Sequence, residues 1–127
     1  MHEYSVMSQL VSVLVKEIDV KYHDRIKTVH IEIGELTFLE PDALEFAFSI
    51  ITKGTILQGA KLEVKTLESI VKCGGCGYQG ILTYSEEYPD HIRIPVISCP
   101  RCGSKPELIQ GRETMIKNIT VMEEYDE

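Results

Sequence analysis

All four cysteines of the chain fall into two matched hooks, Cys73-Gly-Gly-Cys76 and Cys99-Pro-Arg-Cys102, each followed by a glycine. Two residues between the thiols of a hook let both thiolates reach one ion, and the glycine lets the backbone turn tightly behind it. Two such hooks make a closed tetrahedral site of four thiolates, the arrangement of structural zinc. The spacer, residues 77–98, is slightly longer than the ~15–20 residues usual for paired hooks. Loop-closure entropy grows only logarithmically, so the extra length costs little. A disulfide inside either hook would be strained. A redox dithiol needs one hook beside a βαβ unit, not two flanking a loop. A closed site leaves the metal no open position for catalysis.

A second group of donors stands at the start, Met1-His2-Glu3. With the initiator methionine retained ahead of a bulky histidine, the Met1 amine, the His2 amide nitrogen and the His2 ring nitrogen can wrap one metal in fused chelate rings. The Glu3 amide, another side chain or a partner protein is expected to fill the fourth position. Nickel(II) and copper(II) favour such planar nitrogen donation, whereas zinc prefers a tetrahedron. From these atoms alone, an ordinary terminal histidine remains the competing reading.

The elements that must position these groups follow from periodicity. Met7, Leu10, Val11, Leu14 and Ile18, widened by Val6 and Val13, predict an amphipathic helix over residues 3–20. Lys21-Tyr22-His23-Asp24 then turns the chain. Val29, Ile31 and Ile33 alternate with Thr28, His30 and Glu32, predicting a half-buried strand over 26–36. Pro41, at a helix N1 position, opens a second helix over 41–52 that carries Leu44, Ala47, Phe48 and Ile51 and stops before Gly54. Residues 60–66 alternate again as a second strand. Residues 107–123 predict a third, bulged or kinked at Gly111-Arg112. Between the hooks, 80–84 and 92–97 look like short strands joined by the acidic loop 85–90. The expected fold is α+β: a three-stranded sheet with two helices on one face, plus an inserted zinc-ribbon-like module. The expected division is 1–72 with 106–127 for the main domain and 73–105 for the insertion, with a hinge near Lys72 and Pro106.

Composition narrows the function. With 127 residues, 43% of them hydrophobic, the chain can bury one moderate core and a small metal-stapled module. Its formal net charge of −7 disfavours a surface that tracks phosphates, and the stretch 73–102 offers only Arg93 and Arg101 against Glu86, Glu87 and Asp90. No run of apolar residues is long enough to span a bilayer, and the first residues lack a signal-peptide pattern, so a cytoplasmic location with reduced thiols is expected. No nucleophile triad, carboxylate pair or phosphate-cradling loop presents itself, so no enzyme is expected.

The motifs taken together resemble the hydrogenase and urease nickel incorporation family, HypA/HybF. The resemblance rests on Met1-His2-Glu3-Tyr4-Ser5, Ile33-Gly34-Glu35-Leu36, residues 41–48, Gly59-Ala60-Lys61-Leu62, both hooks, and Gly111-Arg112-Glu113, in that order along nearly the whole chain. Thr114 departs from the leucine many relatives carry after Gly-Arg-Glu. The resemblance implies nickel at His2 with main-chain nitrogens of Met1 and Glu3, and structural zinc at Cys73, Cys76, Cys99 and Cys102. It implies a metallochaperone that holds nickel and passes it to the precursor of the hydrogenase large subunit, with the GTPase HypB as partner. A monomer or weak dimer is expected. His91, in the insertion, is a candidate extra nickel ligand. His23 and His30 are expected to be structural or solvated. The rival reading is a zinc-ribbon adaptor for protein or nucleic acid, with no nickel role.

Overall fold

The computed structural model describes residues 2–82 and 98–122. Helix α1 spans Glu3–Glu17 and buries Val6, Met7, Val11 and Leu14. It stops short of the predicted residue 20 because Ile18 turns extended, its N–H still bonded to the Leu14 carbonyl. Asp19 then caps a single 3-10 turn over Val20–Tyr22 by accepting the Lys21 N–H at 3.0 Å. Asp24, in the left-handed region at φ 68°, reverses the chain into β1, Ile26–Gly34.

Strand β1 is the centre of the first sheet. Strand β2, Lys61–Leu67, pairs with it in parallel, and β6, Thr114–Val121, pairs antiparallel, giving the order β2-β1-β6. A parallel pair needs a crossover, and helix α2, Pro41–Ile51, supplies it between β1 and β2. Both helices cover the same face. Met7 and Leu14 of α1, Leu44 and Phe48 of α2, and Val29, Ile31 and Leu62 of the sheet form one buried apolar cluster. The expected three-stranded, helix-backed layer is therefore present.

The stretch after the second hook departs from expectation. Instead of one kinked strand, it forms two strands in different sheets: β5, Glu107–Gln110, and β6. Gly111 marks the passage between them. The second sheet has the order β4-β3-β5, with β3 at Ile70–Lys72 and β4 at Gln79–Ile81. Its own small core joins Leu36, Val71 and Leu82, with Phe38, Tyr78 and Leu108 packed against it. Lys72 thus lies inside a strand and Pro106 directly abuts one. The chain crosses between the sheets at 67–70 and 110–114. The predicted strand 80–84 is in part β4; residues 92–97 and the loop 85–90 lie outside the described residues.

Helix α2 starts where β1 ends, and α1 begins beside it, since the Glu3 carboxylate accepts the Glu40 N–H at 3.0 Å. Both helix N-termini, both sheet crossings and the start of the second sheet therefore gather at one end of the molecule.

Candidate metal centres

The two hooks adopt one backbone pattern twice. In the first, the Cys73 N–H donates to the Tyr78 carbonyl at 2.7 Å and the Gly77 N–H to the Cys73 carbonyl at 2.9 Å. In the second, Cys99 N–H to Ser104 and Gly103 N–H to Cys99 repeat those distances. Gly77 at φ 81° and Gly103 at φ 80° take the left-handed turn that a side chain would resist. Strand β3 delivers Cys73 and the turn before β4 delivers Cys76, while the second hook leads into β5.

The four sulfurs lie within 4.8 Å of one another. Cys73 and Cys102 are 3.6 Å apart, as are Cys76 and Cys99. A tetrahedron of Zn–S bonds of ~2.3 Å has sulfur–sulfur edges of ~3.8 Å, so the donor set fits that ion. Cys73 and Cys99 are buried, Cys76 and Cys102 exposed.

The hooks also tune their thiols. The Ser104 hydroxyl and N–H, both directed at Cys102, draw it down to about 6. At Cys99 burial opposes ionisation, but the N–H groups of Cys102 and Arg101 outweigh it and hold the thiol below its usual value. At Cys76 the Tyr78 N–H favours the thiolate, yet burial and the three neighbouring sulfurs push it up to about 12. Four sulfurs this close cannot all ionise unaided, because like charges repel; a bound divalent cation removes that conflict. This is a four-cysteine metal-binding site.

The N-terminal donors are arranged differently. His2 is exposed and extended (φ −104°, ψ 129°), standing just ahead of α1 as its N-cap, with its carbonyl accepting the Val6 N–H. Amides in the first turn of a helix have no partner within the helix. The Glu3 carboxylate is lowered below its usual range by the Glu40 N–H first and then by its own N–H, which together outweigh burial, with nearby His2 adding a lesser pull. Two other histidines are held by the fold. The His23 ring donates to the Ile18 carbonyl at 3.2 Å, and His30 bridges Glu63 at 3.1 Å and Thr120 at 2.8 Å. Met1 and His91 lie outside the described residues.

The sequence profile of the family "Hydrogenase/urease nickel incorporation, metallochaperone, hypA" matches residues 1–121. The chain belongs to the HypA family. The hydrogenase maturation factor HypA of Methanococcus aeolicus is 37% identical over 123 residues, spanning 93% of this chain and 94% of that protein. The HypA of Methanocaldococcus jannaschii is 33% identical over 133 residues, spanning both chains fully. The solution structure of the Ni metallochaperone HypA from Helicobacter pylori shares the fold, with a TM-score of 0.65 at 21% identity over 98% of this chain and 100% of that one. HypA proteins are nickel-incorporation metallochaperones of hydrogenase and urease maturation, and the four-cysteine cluster found here sits within the matched span. Among the described residues no helix is long and apolar enough to cross a membrane.

Sequence reasoning missed Tyr78 and Ser104, whose N–H groups support the sulfurs, and Glu40, which holds Glu3. The signal for the first two was present: each is the residue after the glycine that follows a hook.

Proposed function

We propose that this chain carries one nickel(II) at its N-terminus and delivers it during maturation of [NiFe]-hydrogenase, or of urease, while zinc at Cys73, Cys76, Cys99 and Cys102 fastens the second sheet. Bound zinc supplies a closed, redox-inert crosslink of four thiolates and no catalysis. In this reading the chain is not an enzyme, works in the cytoplasm as a monomer or weak dimer, and has as partners the GTPase HypB and the hydrogenase large-subunit precursor. It divides into a nickel part, the helix-backed sheet, and an inserted zinc part whose expected span of 73–105 is extended outward to take in β3 and β5 along with β4. His91 remains a candidate additional ligand.

The observation that supports the nickel site best is the setting of His2. Its ring has no hydrogen-bond partner among the described residues and stands exposed, one residue before a first helical turn whose amides have no partner within the helix. The adjacent Glu3 carboxylate already accepts the Glu40 N–H, while the exposed His2 ring offers a nitrogen donor. Nitrogen donors in a plane suit nickel(II), and an incompletely filled set suits a metal that must leave again.

Nickel titration of zinc-loaded protein with Met1 as the first residue, against the same protein carrying an N-terminal extension, tests the reading. The free amine should give the tighter site, and equal affinity in the two would remove the amine from the donor set.

A further inference from the structure

Two motifs that carry the family resemblance, Gly34-Glu35-Leu36 and Gly111-Arg112-Glu113, take no part in either metal centre. They meet where the two sheets join. One oxygen of Glu35 accepts the Ser69 N–H at 2.8 Å and also the Ser69 hydroxyl. Ser69 is wholly buried, in the crossing between β2 and β3. The other crossing is held by backbone: Leu36 N–H donates to the Gly111 carbonyl at 2.9 Å and Gly34 N–H to the Glu113 carbonyl at 2.8 Å. The Glu113 carboxylate in turn accepts the Gly111 N–H at 2.8 Å.

The approach is too close for side chains. A Cβ on Gly34 would stand 2.0 Å from the Gly111 carbonyl carbon, and Gly111 itself, at φ +140°, faces the Ser69 Cβ. Just beyond, Phe38 adopts the left-handed conformation at φ 54° and packs with Leu36 against the core of the second sheet. One short segment after β1 therefore grips both chain crossings, one through a carboxylate and one through the main chain.

We infer that Glu35 is a positioning residue: by holding Ser69 it fixes the angle at which the four-cysteine sheet stands on the helix-backed sheet. Two short crossings side by side still permit a rocking motion about the line that joins them. Anchoring one of them to a half-buried carboxylate removes that freedom. A partner that touches both sheets then meets one fixed surface, not a family of poses. The inference rests on the division into two parts proposed above and not on nickel binding.

The test uses the zinc-loaded full chain and residual dipolar couplings of backbone amides in the two sheets. In the wild type one alignment tensor should fit both sheets. In Glu35→Ala the second sheet should need its own tensor, with zinc content unchanged. Glu35→Gln, which keeps an acceptor oxygen, should restore the single tensor. A single tensor in Glu35→Ala, or two in the wild type, would overturn the inference. Should Glu35→Ala fail to fold, Glu35→Met keeps the bulk of the side chain while removing the acceptor of both Ser69 donors, and a single tensor in that variant would equally overturn the inference. Failure of the nickel reading would show separately, as absence of nickel uptake by the wild type, and leaves these couplings untouched.

Discussion

The Glu3 carboxylate accepts the Glu40 N–H at 3.0 Å, fastening the first residue of α1 to the residue that caps α2. Because this bond favours the charged form, Glu3 titrates below its ordinary value of 4.5. Its contribution is fully present above that value and is lost as pH falls through the lowered pKa. Glu3→Ala should therefore cost about 1 kcal/mol at pH 7, a charge-assisted bond discounted for solvent exposure. Paired urea denaturation of wild type and mutant from pH 7 downward should show the difference shrinking below 4.5. A pH-independent gap would show that the carboxylate charge is not responsible.

Gly34→Ala should be among the most damaging small substitutions in the chain. The added methyl meets the Gly111 backbone, which cannot step aside as a flexible side chain would. A loss of at least about 3 kcal/mol is expected, at the upper end for overpacking. Gly54→Ala faces open space at φ +79° and should cost about 1 kcal/mol from backbone conformation alone. Chemical denaturation of the two variants measures the contrast.

Metal removal should be felt locally. The core of the second sheet is small, with Leu36, Val71 and Leu82 its buried residues, whereas the main cluster draws on both helices and three strands. Chelation, or Cys73→Ser, should abolish amide protection around Val71 and Leu82 while Val29, Ile31 and Ile33 stay protected in hydrogen exchange. Simultaneous loss at both places would mean that the two cores are not separable.

These contrasts also show what the sequence could and could not reveal. The stripes in α1, β1 and α2 were legible because each element buries one face against one neighbour, which leaves period 3.6 or period 2 in the residues. The hooks were legible because metal ligation fixes local spacing. The second sheet was legible only in part: β4 and β5 overlap the predicted strands at 80–84 and 107–123, but β3, three residues long, is too short for a period to register. Gly111 announced a break, but the reason for it, a backbone approach to Gly34 and Ser69, lies in residues far away in the chain. The Glu35 to Ser69 bond likewise had no local signature. The early stop of α1 depends on Asp19 capping its own turn, a choice that an apolar stripe running to Ile18 conceals.

His30 joins all three strands of the first sheet across its open face, through Glu63 on β2 and Thr120 on β6. His30→Ala should lose up to about 1 kcal/mol, the scale of cross-strand pairs. His23→Ala should also act on stability alone, by freeing the Ile18 carbonyl. Neither change should alter nickel affinity, because both rings are already committed within the fold. A nickel defect in either would point to a second site.

The account turns on which atoms hold nickel, and a titration with metal counting on zinc-loaded protein beginning at Met1 addresses that directly. Wild type should take up one nickel per chain in addition to zinc, and His2→Ala should bind it at least about tenfold more weakly, with zinc content unchanged, since losing a ligand costs no less than losing the support of one. Equal nickel affinity in wild type and His2→Ala would contradict the account.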